Sequence, residues 1–438
     1  MYLLYQLALA GLFLSILPAA LWASYKTGKY RRSFSQRLGK LSEELRAKLN
    51  RGQWIWVHAV SMGETAAVAP LIEAIKQRYP QYQILLTTVT ETGQEMAHKN
   101  LPQIDAHLFF PLDFDSALNR IFAQVSPKLV ILAETEIWPN FLHHLKKRNI
   151  PVLLVNGRIS QKSFQHYKLA KFFMRRVLGD IRHFSMQTKE DAERIIQIGA
   201  APEAVSISGN LKFDQRQSLL SAGERKNLRD RLKIPPAALV WVVGSTHPGE
   251  EEIILPSFKE LKQKHSDLIM ILVPRHPERW KPVEDLLTKA GIGFVRKTNL
   301  VKEAGLQPVV LLDTIGELAA IYSLASVVFM GGTLVPIGGH NILEAALYSK
   351  AIVFGPYMNN FAEIARLFTE KNAALQVKNV QELNQVMDEL LADAHLRSRL
   401  GQAAVKVIEE NQGATERSLA SIGKYLSQNT EVRSQKSE

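Results

Sequence analysis

The sequence predicts an α/β protein with two doubly wound parallel-sheet domains behind an N-terminal membrane-anchor helix. Three observations lead there. Residues 1–25 contain no charge. From Trp54 onward, short near-continuous apolar runs alternate with helical stretches. The alternation stops once, in a polar stretch closed by Pro235 and Pro236, and then begins again. Apolar strands without a polar face are the mark of a parallel sheet covered by helices on both sides. A chain of 438 residues fits two such domains, and its 46% hydrophobic and 22% charged residues exclude a disordered or many-span membrane protein.

The first segment, MYLLYQLALAGLFLSILPAALWASY, is long enough to cross a hydrocarbon layer, for which about 20 apolar residues suffice. Positive charge follows it rather than precedes it, which argues for an uncleaved anchor over a signal peptide. The positive-inside preference then puts the N-terminus outside and the rest of the chain in the cytoplasm. Residues 26–53 form a basic juxtamembrane segment, with nine Lys/Arg against Glu43 and Glu44 over 26–51. A second basic run, 158–183, carries seven Lys/Arg against Asp180 alone. These two runs hold the excess behind the net charge of +12, and they suit an acidic partner such as anionic lipid or a phosphorylated substrate. The absence of cysteine excludes disulfides, thiol nucleophiles and Cys-ligated metals.

Strands are expected at 54–60, 83–89, 107–112, 128–134, 152–157, 183–187 and 204–210 in an N-terminal domain spanning 54–220. A C-terminal domain spanning 236–400 repeats the pattern at 239–245, 268–274, 293–297, 309–313, 326–332 and 351–356. A C-terminal helix over 401–427 and a loose tail over 428–438 complete the chain.

Chemistry in doubly wound sheets sits where strands run into helices. After the first strand, Ser61 and Glu64 have the Ser-x-x-Glu spacing of a capping box. The same glutamate lies at the strand's carboxyl end, where a partly shielded carboxylate can serve as a general base; both readings stand. In GSTHPGEEE (244–252), Ser245 or Thr246 is expected to cap the following helix. The glycine pairs of MGGTLVPIGGHNILEAAL (330–347) suggest backbone amides held open for an anion ahead of a helix. In TIGEL, Gly316 and Glu317 open a helix. Asp113 is expected to cap the helix that begins SALNRIF. No P-loop and no GxGxxG is present, and the His247/Glu251 spacing lacks a third metal ligand.

Taken together, WVHAVSMGETAA, LTTVTETG, PLDFD, ILAETEIWPN, NGRIS, GNLKFD, GSTHPGEEE, LVPRHPER and GGHNILEAALYSKAIVFGPYMNNF resemble the 3-deoxy-D-manno-octulosonic acid (Kdo) transferases of Gram-negative bacteria, from the N-terminus to about residue 400. The resemblance implies a GT-B fold of two Rossmann-like domains. It implies transfer of Kdo from CMP-Kdo to the phosphorylated lipid A precursor of lipopolysaccharide, at the cytoplasmic face of the inner membrane. By position it places the catalytic base on Glu64, assisting groups on Glu134 and Lys212, and the CMP site on Pro274, Arg275, Ile315, Gly316, Glu317, Asn341, Ile342, Leu343 and Glu344. No cofactor, metal or nucleic-acid partner is expected. On the residues alone, Glu134 could equally be a buried partner of Arg158. Two other functions stay open: a GT-B glycosyltransferase or epimerase using a UDP-sugar, and a membrane-tethered module binding anionic ligands.

Overall fold

The computed structural model describes residues 2–27, 31–215, 219–300, 305 and 307–434. It divides into two compact units. Unit 1 comprises residues 1–216 and 411–438, and unit 2 comprises 217–410.

Unit 1 is built on seven strands: β1 (Trp54–His58), β2 (Gln83–Thr88), β3 (Ala106–Phe109), β4 (Leu129–Ala133), β5 (Val152–Gly157), β6 (His183–Met186) and β7 (Val205–Ile207). They pair in parallel in the order β3-β2-β1-β4-β5-β6-β7. All five residues of β1 and of β4 are buried, as a strand covered on both faces requires. Strand order reverses between β1 and β4, so the loops at their carboxyl ends diverge and leave a crevice there.

One face of the sheet is covered by the helix Met62–Arg78, whose Val68, Leu71 and Ile72 pack with Leu419, Ile422 and Leu426 of the helix Ala414–Ser434. Asp214 caps that last helix by accepting from the N–H groups of Gly413 (2.7 Å) and Thr415 (2.5 Å). Where a helix over 401–427 and a loose tail were expected, two helices, Ala394–Asn411 and Ala414–Ser434, stand instead. Residues 435–438 lie outside the described part.

The N-terminal helix forms over Tyr2–Thr27, yet it does not stand clear of the α/β unit. Tyr2 donates to Asp180 (2.9 Å) and Tyr5 to Asp113 (3.0 Å), Gln6 donates to Asp115, and Phe13 meets Phe114 edge-on at 5.5 Å. At about 100° per residue these four side chains share one side, and the exposed Leu7, Gly11, Leu14, Ser15 and Pro18 fall on the other. This differs from an anchor with its N-terminus across a bilayer. Among the described residues, no helix is long and apolar enough to cross a membrane. The basic segment also belongs to the folded unit. It forms the helices Arg31–Arg37 and Glu43–Leu49, and it buries Leu41 and Leu49 in the core. Arg37 donates to the Val89 carbonyl. Residues 28–30 of the segment lie outside the described part.

Unit 2 repeats the plan with β8 (Val240–Thr246), β9 (Ile269–Pro274), β10 (Phe294–Arg296), β11 (Val309–Leu311), β12 (Val327–Met330), β13 (Ala351–Phe354) and β14 (Leu375–Gln376). All pair in parallel in the order β10-β11-β9-β8-β12-β13-β14, with the reversal between β8 and β12. Unit 2 starts earlier than residue 236, because the polar stretch before Pro235 contributes the helix Ala222–Arg231.

Candidate active site

Both strand-order reversals carry groups singled out in the sequence. In unit 1, β1 runs through Val60 into the helix Met62–Arg78, with Ser61 as its N-cap. Ser61 Oγ accepts from the Glu64 N–H (3.3 Å) and donates to Glu64 Oε1 (3.0 Å). Glu64 Oε2 accepts from the Val60 N–H at 2.8 Å, one residue earlier than a standard capping box would place that bond. The helix Glu91–Asn100 closes on this turn through Gly93, where a Cβ would stand 3.2 Å from the Ser61 carbonyl carbon. Glu64 is thus fixed in one orientation. Burial raises its proton affinity, and the nearby Glu134 raises it further, against the opposing effects of Val60, Ser61 and Arg158.

Glu134 follows β4 in a left-handed backbone conformation, φ 55°. A non-glycine residue there is strained, and such strain collects at functional sites. Its buried carboxylate accepts from Arg158 Nε at 2.8 Å, and Lys212 Nζ lies 3.7 Å away on the other oxygen. Lys212 sits on the short 3-10 helix Leu211–Asp214, held where Leu211 N–H donates to Asn156 Oδ1 (2.9 Å) and Asn210 donates to Gln187 (2.9 Å). Thr135 ties the segment after β4 to the Arg158 carbonyl. The motifs around 134, 156 and 210 therefore converge on one carboxylate–cation cluster.

Glu136 joins the cluster and was not singled out in the sequence. Burial first, then the charges of Glu64 and Glu134, push its carboxyl up to about 7. Its only sequence signal is its place two residues after Glu134 in AETEIW.

In unit 2, β9 ends at the buried Pro274, and Arg275 emerges exposed. The N–H of Arg275 donates to the Thr246 carbonyl at 3.0 Å. Glu344, in the short helix Leu343–Ala346, has its proton affinity raised by burial and lowered by the charge of Arg275. Asn341 Oδ1 accepts from the Leu343 N–H (3.1 Å), and Ile342 is buried beneath. Glu317 turns instead to Lys297 (2.5 Å) and Thr314. Burial would raise its carboxyl, but those two partners hold it below the usual range. Ile315 is exposed, beside Gly316 at φ 88°. The described geometry pairs Glu317 with Lys297 (2.5 Å), whereas Arg275 acts on Glu344 through its charge.

Three expectations need correction. The glycine-pair loop does not leave its first amides open for an anion. The Glu250 carboxylate, fully buried, already accepts from the N–H groups of Gly332 (2.5 Å), Thr333 (2.9 Å), Leu334 (2.9 Å) and His247 (3.1 Å). Neither Ser245 nor Thr246 caps the next helix. That helix is Glu251–Lys264 with Glu250 at its N-cap, and Ser245 is a left-handed residue within β8. Asp113 does not cap the helix Asp115–Phe122. It accepts from the N–H groups of Asn140 (3.0 Å) and Phe141 (2.7 Å), and so caps Pro139–Lys147 from a distance in sequence. Glu251 is committed to Thr246 and Arg279 at 2.8 Å each, which removes it from the metal pairing with His247.

The family described as 3-Deoxy-D-manno-octulosonic-acid transferase (kdotransferase) matches residues 32–215. The 3-deoxy-D-manno-octulosonic acid transferase of Haemophilus influenzae is 36% identical over 408 residues, 93% of this chain and 94% of its own length. The C-terminal CMP-Kdo binding domain of WaaA from Acinetobacter baumannii aligns at 31% identity over 42% of this chain and 96% of its own, with a TM-score of 0.40. UDP-GlcNAc 2-epimerase from Neisseria meningitidis, bound to UDP-GlcNAc, aligns at 14% identity over 85% of this chain and 100% of its own, with a TM-score of 0.61, a likeness of fold. Two parallel-sheet α/β units with such neighbours define a GT-B-type protein. The chain belongs to the 3-deoxy-D-manno-octulosonic acid transferase family and is a glycosyltransferase.

Proposed function

We propose that the chain is an inverting glycosyltransferase that moves Kdo from CMP-Kdo to the phosphorylated lipid A precursor in lipopolysaccharide biosynthesis. Family membership supports the reaction. The observation that carries the mechanism is Glu64: a carboxylate held in one orientation at the β1–β4 reversal, with proton affinity raised by burial and by Glu134.

In this reading the acceptor hydroxyl oxygen bonds to the anomeric carbon of Kdo. The carbon–oxygen bond to CMP breaks, with its electron pair leaving on the phosphate, and the hydroxyl proton passes to Glu64. A single displacement inverts the anomeric configuration. CMP leaves readily, so the protein's task is to hold charge rather than to supply a strong acid. Lys212 offsets the Kdo carboxylate or the departing phosphate, and Glu134 positions Lys212. Arg275 holds the CMP phosphate and Glu344 accepts from ribose hydroxyls. Pro274, Ile315, Gly316, Glu317, Asn341, Ile342 and Leu343 complete the nucleotide site. Neither cofactor nor metal takes part.

The enzyme acts at the cytoplasmic side of the inner membrane. The basic runs 26–51 and 158–183, which suit anionic lipid, support this placement. Mass spectrometry of products from CMP-Kdo and lipid A precursor in detergent tests the reaction. Thermal protection by CMP and not by UDP is the expected companion result. Protection by UDP alone, with no Kdo-bearing product, would overturn the reading.

A further inference from the structure

We propose that His247 and His340 form a proton-sharing pair that takes up one proton as the departing nucleotide phosphate gains its second negative charge. This rests on the nucleotide site proposed for unit 2 and adds two residues to it. His247 follows β8 at the turn into the helix Glu251–Lys264, and His340 follows β12 and precedes Asn341, so both rings come from loops at the β8–β12 reversal. Their Nε2 atoms stand 2.9 Å apart. The ring planes are 8° from parallel with centroids 5.1 Å apart, so the rings meet edge to edge, as an N–H···N bond requires, rather than face to face.

The fold holds this pair in place. Glu250 Oε2 accepts from the N–H groups of both His247 (3.1 Å) and Gly332 (2.5 Å), which ties the two loops together. Gly332, at φ 70°, lies against both rings, and a Cβ there would stand 3.2 Å from His340 Nε2 and 3.3 Å from His247 Cδ2. His276 meets the His247 ring edge-on at 5.6 Å, and the charges of Arg275 and Arg279 reach the pair. The acids nearby are committed elsewhere, Glu250 to backbone amides and Glu251 to Thr246 and Arg279. Burial, then Arg275, hold His340 down to about 3, and burial, then His276, lower His247. The pair is therefore neutral near pH 7, in surroundings that favour an anion.

In a neutral pair of this geometry one hydrogen lies between the Nε2 atoms and one Nδ1 carries the other, which leaves the second Nδ1 bare. Among the described residues nothing engages either Nδ1. A proton added to the bare Nδ1 turns the pair into a single cation without disturbing the shared bond, which becomes charge-assisted. The reaction supplies the reason to take it. The phosphate of CMP-Kdo is a diester with one negative charge. Breaking the carbon–oxygen bond leaves the electron pair on that phosphate and makes it a monoester with two. A proton from solvent then binds the pair, and an Nδ1–H donates to the phosphate beside Arg275. Glu64 holds the proton of the acceptor hydroxyl, so the two proton movements are separate. Arg275 meets the first charge and the histidine pair the second, which tells product from donor by charge.

The test is calorimetric titration of the full-length protein with CMP near pH 8, above the second ionisation of a phosphate monoester at about 6, in two buffers of different ionisation enthalpy. CMP should draw about one proton into the protein, and cytidine, which lacks the phosphate, none. Affinity for CMP should rise by up to about tenfold per pH unit on going from about pH 8.5 to about pH 7. His340→Asn and His247→Gln should each bind CMP about tenfold more weakly near pH 7, with no proton uptake and no such pH dependence. In the wild type carrying isotope-labelled histidine, nuclear magnetic resonance should show both Nδ1 atoms protonated once CMP is bound, a readout that stands even if neither variant folds. CMP bound without proton uptake, or uptake persisting in a folded His340→Asn variant, would overturn the proposal. Cytidine drawing the same proton would overturn the part given to the phosphate. Absence of CMP binding would overturn the nucleotide site of unit 2, and the role of the pair with it.

Discussion

Arg158 and Glu134 form an ion pair at 2.8 Å in which the acid is buried and the base half-exposed, with Lys212 3.7 Å from the other carboxylate oxygen. Glu134 therefore orders two cations from one strained position, and it also raises the proton affinity of Glu64. Glu134→Gln should lower turnover and move the acid limb of the pH–rate profile to lower pH, because a negative charge near the base is gone. An unmoved acid limb would separate Glu134 from Glu64 and leave it a purely structural partner of Arg158.

Glu64→Gln tests the base directly. Loss of a general base should cost about 100-fold to 10,000-fold in turnover. Loss of the cap should cost only about 0.5–2 kcal/mol of stability. CMP binding, which we propose for unit 2, should be retained in a calorimetric titration. A variant that melts earlier but turns over at the wild-type rate would leave Glu64 as a helix cap alone.

Glu136 makes stability depend on pH. Its folded proton affinity, near 7, exceeds the ordinary value of 4.5. The native state thus binds the proton more tightly than the unfolded chain does, and the associated stability is present below about 4.5 and is lost as pH rises through about 7. Glu136→Gln should therefore gain in melting temperature relative to the wild type as pH rises across that window. A constant difference between the two curves would show that Glu136 titrates normally.

Glu250→Ala should destabilise unit 2 severely. It leaves four backbone donors without their buried acceptor, at about 1–3 kcal/mol each where water cannot replace it. Glu250→Gln should be less damaging, since its carbonyl oxygen can still accept from two of the four donors while its NH2 group faces the other two. Melting of the two variants, with and without CMP, is the measurement. Wild-type melting would mean that the loop finds other acceptors.

Deleting residues 1–25 should leave a soluble protein that still acts on acceptor in micelles but melts earlier than the full chain. The deletion removes the hydroxyl partners of Asp180 and Asp113 at 2.9 and 3.0 Å, worth about 0.5–1.5 kcal/mol each. An unchanged melting temperature would mean that the N-terminal helix contributes nothing to unit 1.

Thirteen of the fourteen strands among the described residues were readable as apolar runs between turns. The exception is β14, two residues long at a sheet edge and too short to carry a pattern. Glu64 was visible because its local bond to Ser61 is encoded three residues apart. Glu134 and Lys212 came only from the motif resemblance, since their ion pair joins positions 78 residues apart. Asp113 was misread, and Glu250 passed over, for the same reason in reverse. Local spacing suggests nearby caps, but Glu250 reaches 82 to 84 residues on, and Asp113 reaches 27 and 28. Sequence periodicity carries no information about such bonds, which the topology creates.

The return of residues 411–438 to unit 1 makes unit 2 an insertion within it, and this has a consequence for biosynthesis. The apolar side of the helix Met62–Arg78 awaits Leu419, Ile422 and Leu426, which leave the ribosome only after the 194 residues 217–410. At about 5–20 residues per second that wait lasts roughly 10–40 s. Throughout it the nascent chain presents a greasy seam that the helix Ala414–Ser434 covers in the folded unit. A stop codon anywhere before residue 411 would therefore strand the first half of the protein unfinished, however complete its sheet.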